Sequence, residues 1–167
     1  FDFAFSYPFY DRCSYFPGIK DSPINSEKLW KLIEDNNTNA KNFYGGEIWA
    51  SKTYGKFFNS PKLKGSHFSS RRRYTERVAK KKLFSPSSTF NCVGPGAVGT
   101  GTLAGMRILN LLKNKAKIWP FDEFNFSTKT VVVEIFPSYY FRLSKIKPEK
   151  KVGYTIENIN NCLLYTS

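Results

Sequence analysis

The chain has 167 residues, the size of one domain, and 41% of them are apolar, which excludes global disorder. Lys and Arg number 26 against 13 Asp and Glu, a net charge of +13, and no run of about 18 apolar residues exists, which excludes a transmembrane helix. Three cysteines without a CxxC pair and the single His67 exclude a disulfide framework, a zinc knuckle and a Ser-His-Asp triad. The cysteines read as reduced thiols of a cytoplasmic protein, and the metal this composition allows is a hard cation held by carboxylates.

In chain order, FDFAF (residues 1–5) reads as a buried strand carrying Asp2 and ending at Ser6-Tyr7-Pro8. Pro17-Gly18 marks a turn. Ser22 or Asn25 is placed to cap a helix running to about Asp35, with Leu29, Trp30, Leu32 and Ile33 on its apolar side. A polar loop follows from Asn36 to Asn42. Residues 43–72, punctuated by Gly45, Gly46, Gly55, Pro61 and Gly65, read as a long, irregular, mobile insertion. Thr75 to Lys82 is expected to be a short helix, broken at Phe84-Ser85-Pro86.

Ser88 to Val93 is strand-like, or else a loop entering the glycine-rich run Gly94–Gly101. A helix is expected from about Gly99 to Asn114, since Leu103, Met106, Leu109 and Leu112 recur at helical spacing. Lys117 to Phe121 predicts a short strand leading into Asp122. Val131 to Phe136 predicts another, carrying Glu134 and stopped by Pro137. Residues 151–167 read as a weakly ordered tail whose last six residues, CLLYTS, look non-native. Alternating strands and helices give an α/β class, in one domain over residues 1–150.

The charge is concentrated. Residues 52–82 hold 11 basic side chains and one acid, Glu76, whereas residues 1–51 are slightly acidic. Tyr54, Phe57, Phe58, Phe68 and Tyr74 are interleaved with these cations. Cations that release counterions from phosphates, alternating with rings that stack on unpaired bases, form a nucleic-acid footprint. The competing reading is coding bias, which enriches Lys, Asn, Phe and Tyr without selection for binding. No apolar helical stripe accompanies the charge, so a membrane surface is not the expected partner.

Two patterns carry chemistry. Gly94-Pro95-Gly96-Ala97-Val98-Gly99 satisfies GxGxxG before a helix, with Asp122 following, the order of a dinucleotide-binding turn. Against it stand a weakly apolar preceding strand, Pro95 in place of an amide donor, and the alternative of a glycine turn that lets a helix pack closely. The second pattern is a constellation of strand-borne acids. Asp2 and Glu134, with Glu76 and Asp122 nearby in motifs, are costly to bury unless paired or bound to a cation. Gathered at one sheet edge they would hold Mg²⁺ or Mn²⁺ for phosphoryl chemistry, and the alternative is a set of structural ion pairs with arginines such as Arg73.

FDFAFSYP (1–8), RYTE (73–76), FNCVGPGAVGTGTLAGMRIL (90–109), IWPFD (118–122) and VVVEIFPSYY (131–140) together resemble a family of predicted RNase H-like nucleases (domain-of-unknown-function family 429 and relatives). The resemblance implies an RNase H-like fold, a mixed central sheet flanked by helices, and a metal-dependent nuclease or phosphodiesterase acting on nucleic acid. It implies catalytic roles for Asp2, Glu76, Asp122 and Glu134, with Asp2 and Glu134 as metal ligands. Arg71, Arg72, Arg73, Thr75, Gly94, Gly96 and Gly99 are the corresponding substrate- or phosphate-contacting candidates. Family members carry an earlier acidic strand, so the chain reads as truncated at its N-terminus. A non-catalytic nucleic-acid or nucleotide-binding module of the same fold is the alternative, and a dinucleotide-binding protein using Gly94–Gly99 the third reading.

Overall fold

The computed structural model describes residues 1–145; the expected tail at 151–167 lies outside them. Four helices and one small sheet make a mixed α/β fold: α1 (Ser26–Asp35), α2 (Tyr74–Lys82), α3 (Gly99–Leu112), β1 (Lys117–Ile118), β2 (Val131–Val132) and α4 (Pro137–Leu143). Between α1 and α2 lie two 3-10 turns, Gly46–Ala50 and Gly55–Phe57. The strands are parallel, with Lys117 opposite Val131 and Ile118 opposite Val132. Among the described residues no helix is long and apolar enough to cross a membrane.

Local chemistry sets the helix boundaries. The Asn25 side chain accepts the Lys28 N–H at 2.9 Å and starts α1. Leu29, Trp30 and Ile33 of α1 and Leu103, Met106 and Leu109 of α3 are buried, and these two helices pack against each other. An ion pair locks them: Arg107 donates to both Glu34 oxygens at 2.7 and 3.0 Å and to the Tyr44 carbonyl at 2.7 Å. Asn37, wholly buried, ties the end of α1 to the first 3-10 turn, donating to Ile33 O and accepting the Glu47 N–H. Pro137 opens α4, where a missing N–H costs nothing.

Three expectations are corrected. Residues 1–5 do not form a regular strand. Only Phe1 exchanges strand-like hydrogen bonds, donating to Val133 O and accepting from the Ile135 N–H, while the rings of Phe1, Phe3 and Phe5 follow one another at 5.3 Å spacings. The strands expected over 117–121 and 131–136 are each two residues long, so among the described residues the sheet is a single pair of short strands. Of the two readings open for residues 88–93 the loop holds: the segment makes an isolated bridge between Asn59 and Asn91, bonds to neighbouring loops and a core contact through Phe90.

The stretch expected to be a mobile insertion supplies core. Ile48 and Phe58 are fully buried and Phe57 nearly so. Phe58 and Phe90 pack around Tyr7 and Phe16, with the Tyr7 ring stacked on Phe90 at 4.4 Å. Each such ring removes apolar area worth about 2–3 kcal/mol from water. With so little sheet, this aromatic cluster carries the cohesion that strands supply in larger α/β proteins.

Two glycines of α3 behave oppositely. A Cβ at Gly99 would stand 2.6 Å from the Cys92 sulfur and 2.7 and 2.8 Å from the carbonyls of Asn91 and Thr89; at Gly101 it would meet nothing within 4 Å. Gly99→Ala is therefore expected to destabilise the protein by about 1–3 kcal/mol, because backbone must move. Gly101→Ala is expected to stabilise it by about 0.5–1 kcal/mol through helix propensity and unfolded-chain entropy. Urea denaturation of both variants checks this opposition of sign.

Candidate functional site

Arg73 stands at the N-terminus of α2 and holds two carboxylates. Its Nη1 and Nη2 donate to the two oxygens of Glu134, and its Nε donates to Glu76 Oε1 at 2.9 Å. Glu76 also accepts the Arg73 backbone N–H at 2.9 Å, reaching back over the first turn of α2 as a capping acid does. Glu134 Oε2 accepts the Phe5 N–H at 2.9 Å as well. One guanidinium thus joins α2, the segment after β2 and the N-terminal segment.

The electrostatics follow from the burial. Burial opposes the Arg73 charge, yet the hydrogen bonds to Glu134 and the fields of Glu76 and Glu134 outweigh it and raise the pKa above the usual arginine range. Asp2, exposed and without a hydrogen bond, has its carboxyl pKa raised by desolvation and by Glu134, against the pull of the terminal amine. Two carboxylates against one guanidinium leave the Arg73 cluster net negative, and Asp2 adds to that field.

Glu76 and Glu134 are thus joined through one arginine, and Asp2 lies in the field of Glu134 without touching that arginine. Among the described residues no three acidic, His or Cys side chains stand together as ligands for one ion. The arrangement does not fit a carboxylate-held Mg²⁺ or Mn²⁺: the guanidinium occupies both Glu134 oxygens, and Glu76 is bonded to Arg73 through both of its own. Asp122 is engaged elsewhere. Its Oδ2 accepts the Ile118 N–H at 2.8 Å, closing the turn that contains the cis Trp119–Pro120 bond, and its side chain does not line the cavity beside Arg73.

The remaining candidates divide by what they touch. Arg71, half-buried, donates to Asp11 at 2.7 and 2.9 Å and to the carbonyls of Pro8, Ser14 and Tyr15, so its guanidinium organises the 8–15 loop. Arg72 gives its Nε to Pro86 O and Nη1 to Ser70 O. Thr75 is exposed at the edge of the Arg73 cavity. Gly94 (φ +85°) and Gly96 (φ +72°) adopt left-handed backbone that side chains resist, and Gly99 brings α3 against residues 89–92. Conformation and packing account for all three glycines.

Two concavities flank α2. The first, about 590 Å³, has the Arg73 cluster in its lining together with Tyr7, Tyr10, Tyr74, Trp119, Phe121 and Tyr140. The second, about 510 Å³, is lined by Asp11, Ser70, Arg72, Arg77, Lys80 and Lys81. Arg77, Lys80 and Lys81 are exposed and form no side-chain ion pair or hydrogen bond among the described residues. Sequence reasoning flagged this charge but missed the aromatic cavity, whose rings come from four separate stretches of chain. Of the rings it did propose, Phe57 and Phe58 are core, Tyr54 and Phe68 pack against it, and only Tyr74 is exposed.

Comparison with known proteins yields no relative. No protein-family model, curated protein or solved structure matches the chain. What the site does has to be argued from its own residues.

The Arg71–Asp11 pair makes stability depend on pH. Hydrogen bonding to Arg71, more than offsetting desolvation, holds the Asp11 carboxyl below the usual range. A depressed native pKa stabilises the fold above the unfolded value of about 3.9, and the contribution is lost as pH falls through the native value. The stability difference between wild type and Asp11→Asn is accordingly expected to be largest at neutral pH and to shrink below about pH 4. Urea titrations at both pH values measure it.

Proposed function

We propose that the chain is a nucleic-acid-binding module that engages the phosphate backbone through α2. The observation that carries this reading is the second concavity, where Arg72, Arg77, Lys80 and Lys81 converge and three of the four have no side-chain partner among the described residues. Its only acid, Asp11, is already neutralised by Arg71. Unpaired cations held together repel one another, a cost that a polyanion relieves while releasing its own counterions. The C-terminal position of Lys80, Lys81 and Lys82 on α2 also complements the helix dipole, which lets this charge coexist with a stable helix.

Salt dependence is the direct test. Binding of an oligonucleotide is expected to weaken steeply with salt, and replacing Arg77, Lys80 and Lys81 by Ala is expected to lower the log–log slope by about one per cation removed. Fluorescence anisotropy over a range of NaCl concentrations reads the slope. Binding that is insensitive to salt, or a slope unchanged by the triple substitution, would refute the assignment.

A second reading, a metal-dependent nuclease of RNase H-like fold, draws on Asp2 standing close enough to Glu134 to feel its charge, the two acids coming from opposite ends of the described chain. It needs Glu134 to exchange its arginine for another partner. Cleavage of labelled nucleic acid with Mg²⁺ or Mn²⁺ is then expected to fall at least about a hundredfold in Asp2→Asn, a variant that removes no hydrogen bond of the fold. Equal cleavage by wild type and Asp2→Asn, or no cleavage at all, eliminates this reading and leaves binding without turnover.

A further inference from the structure

The two concavities beside α2 differ in chemistry, and the difference has a direction. Tyr74, Thr75 and Val78 of α2 line the aromatic groove, and Arg77, Lys80 and Lys81 of the same helix line the cationic one. The loop at residues 10–11 repeats the division, with Tyr10 in the aromatic groove and its neighbour Asp11 in the cationic one. α2 is thus a ridge shared by both grooves.

The rings of the first groove are unusually open. Tyr10 is 82% exposed, Tyr74 67%, Trp119 49% and Tyr140 42%. Tyr10, Tyr74 and Trp119 contact no other aromatic ring among the described residues. Elsewhere in the molecule rings cluster closely, as around Phe16, so these faces stand apart from the core's own packing. Large apolar faces left in water beside an unpaired cationic surface mark a place for a ligand that is flat and apolar at one end and anionic at the other.

We infer that the aromatic groove takes the unpaired bases of a single-stranded nucleic acid whose phosphates lie on the Arg72–Arg77–Lys80–Lys81 side of α2. The inference rests on the phosphate-binding role proposed above and specifies the strand. Charge sets the orientation. The Arg73 cluster at the aromatic groove carries two carboxylates against one guanidinium, with Asp2 adding to the negative field, so phosphates are repelled from it and drawn to the opposite side. Bases carry no charge and present amino groups to acceptors. Glu134, whose side chain is 24% exposed and whose oxygens accept from Arg73 and the Phe5 amide, contributes its charge to that field rather than a base contact. A duplex, with its bases stacked on one another and turned inward, cannot enter the groove; a single strand bends over the ridge with its bases free.

The experiment uses the full chain and two labelled probes of about 12 nucleotides, oligothymidylate and a sugar-phosphate strand of the same length without bases. Wild type is expected to bind the base-bearing strand at least about tenfold more tightly than the abasic one at equal salt. Tyr74→Ala and Trp119→Ala are each expected to lose about tenfold in affinity for oligothymidylate while binding the abasic strand within about twofold of wild type. Tyr74→Phe, which keeps the ring, is expected to retain wild-type affinity, and this separates stacking from a general loss of structure. Equal, salt-dependent binding of both probes by wild type would overturn base stacking while leaving the phosphate-binding role intact. Parallel weakening of both probes by the Ala variants would overturn it too. Absence of salt-dependent binding to either probe would overturn both proposals.

Discussion

The placement of α2 depends on a single guanidinium. Arg73 binds the carboxylate of its own helix, Glu76, and that of Glu134 beyond β2, and Glu134 in turn takes the Phe5 amide. The sheet supplies only two residue pairs and cannot by itself hold these segments in register. A largely buried charge cluster can, because removing any one member strands the others without water or a partner. The aromatic cluster around Tyr7, Phe16, Phe58 and Phe90 then supplies the non-directional cohesion, while the ion cluster supplies direction.

That arrangement makes α2 a ridge with unlike sides. Its carboxylate is consumed inward by Arg73, and its cations at 77, 80 and 81 are left outward. The basic stretch of residues 52–82 is accordingly not one uniform surface. Arg71 and Arg73 serve as internal struts, Arg72 is half engaged by carbonyls, and the exposed cations of α2 remain free for a partner. An arginine is suited to strut work because its planar fork satisfies several acceptors at once, whereas the lysines keep a compact, hydrated charge at the surface. The same helix therefore contributes to an acid-floored aromatic groove and to a cationic one.

Parts of this were legible in the residues. α1, α2 and α3 appear close to their expected bounds because cap and periodicity are local signals: Asn25 starts α1, Glu76 folds back on Arg73, and Leu103, Met106 and Leu109 repeat on one face. The need of Glu134 for a partner was legible as well, since an acid beside apolar residues needs one, and Arg73 stood among the alternatives. The choice between an arginine and a metal was not, because both partners call for the same acids. The strand at 1–5 was misread for a related reason. Apolar runs signal burial, and here Phe3 packs against α3 and Phe5 enters the core without pairing in a ladder.

The sequence by itself determined α1, α2 and α3, the clustering of positive charge between residues 52 and 82, and the need of Glu134 for a counter-charge. These depend on neighbours within a few residues, where spacing translates directly into a face or a cap. Only the tertiary structure decided that Ile48, Phe57 and Phe58 of the 43–72 stretch enter the core, that Arg71 and Arg73 face inward while Arg77, Lys80 and Lys81 face outward, and that Tyr10, Tyr74, Trp119 and Tyr140 line one groove. Each of those outcomes turns on which distant segment covers a side chain, and burial by a partner tens of residues away leaves no periodic mark in the sequence.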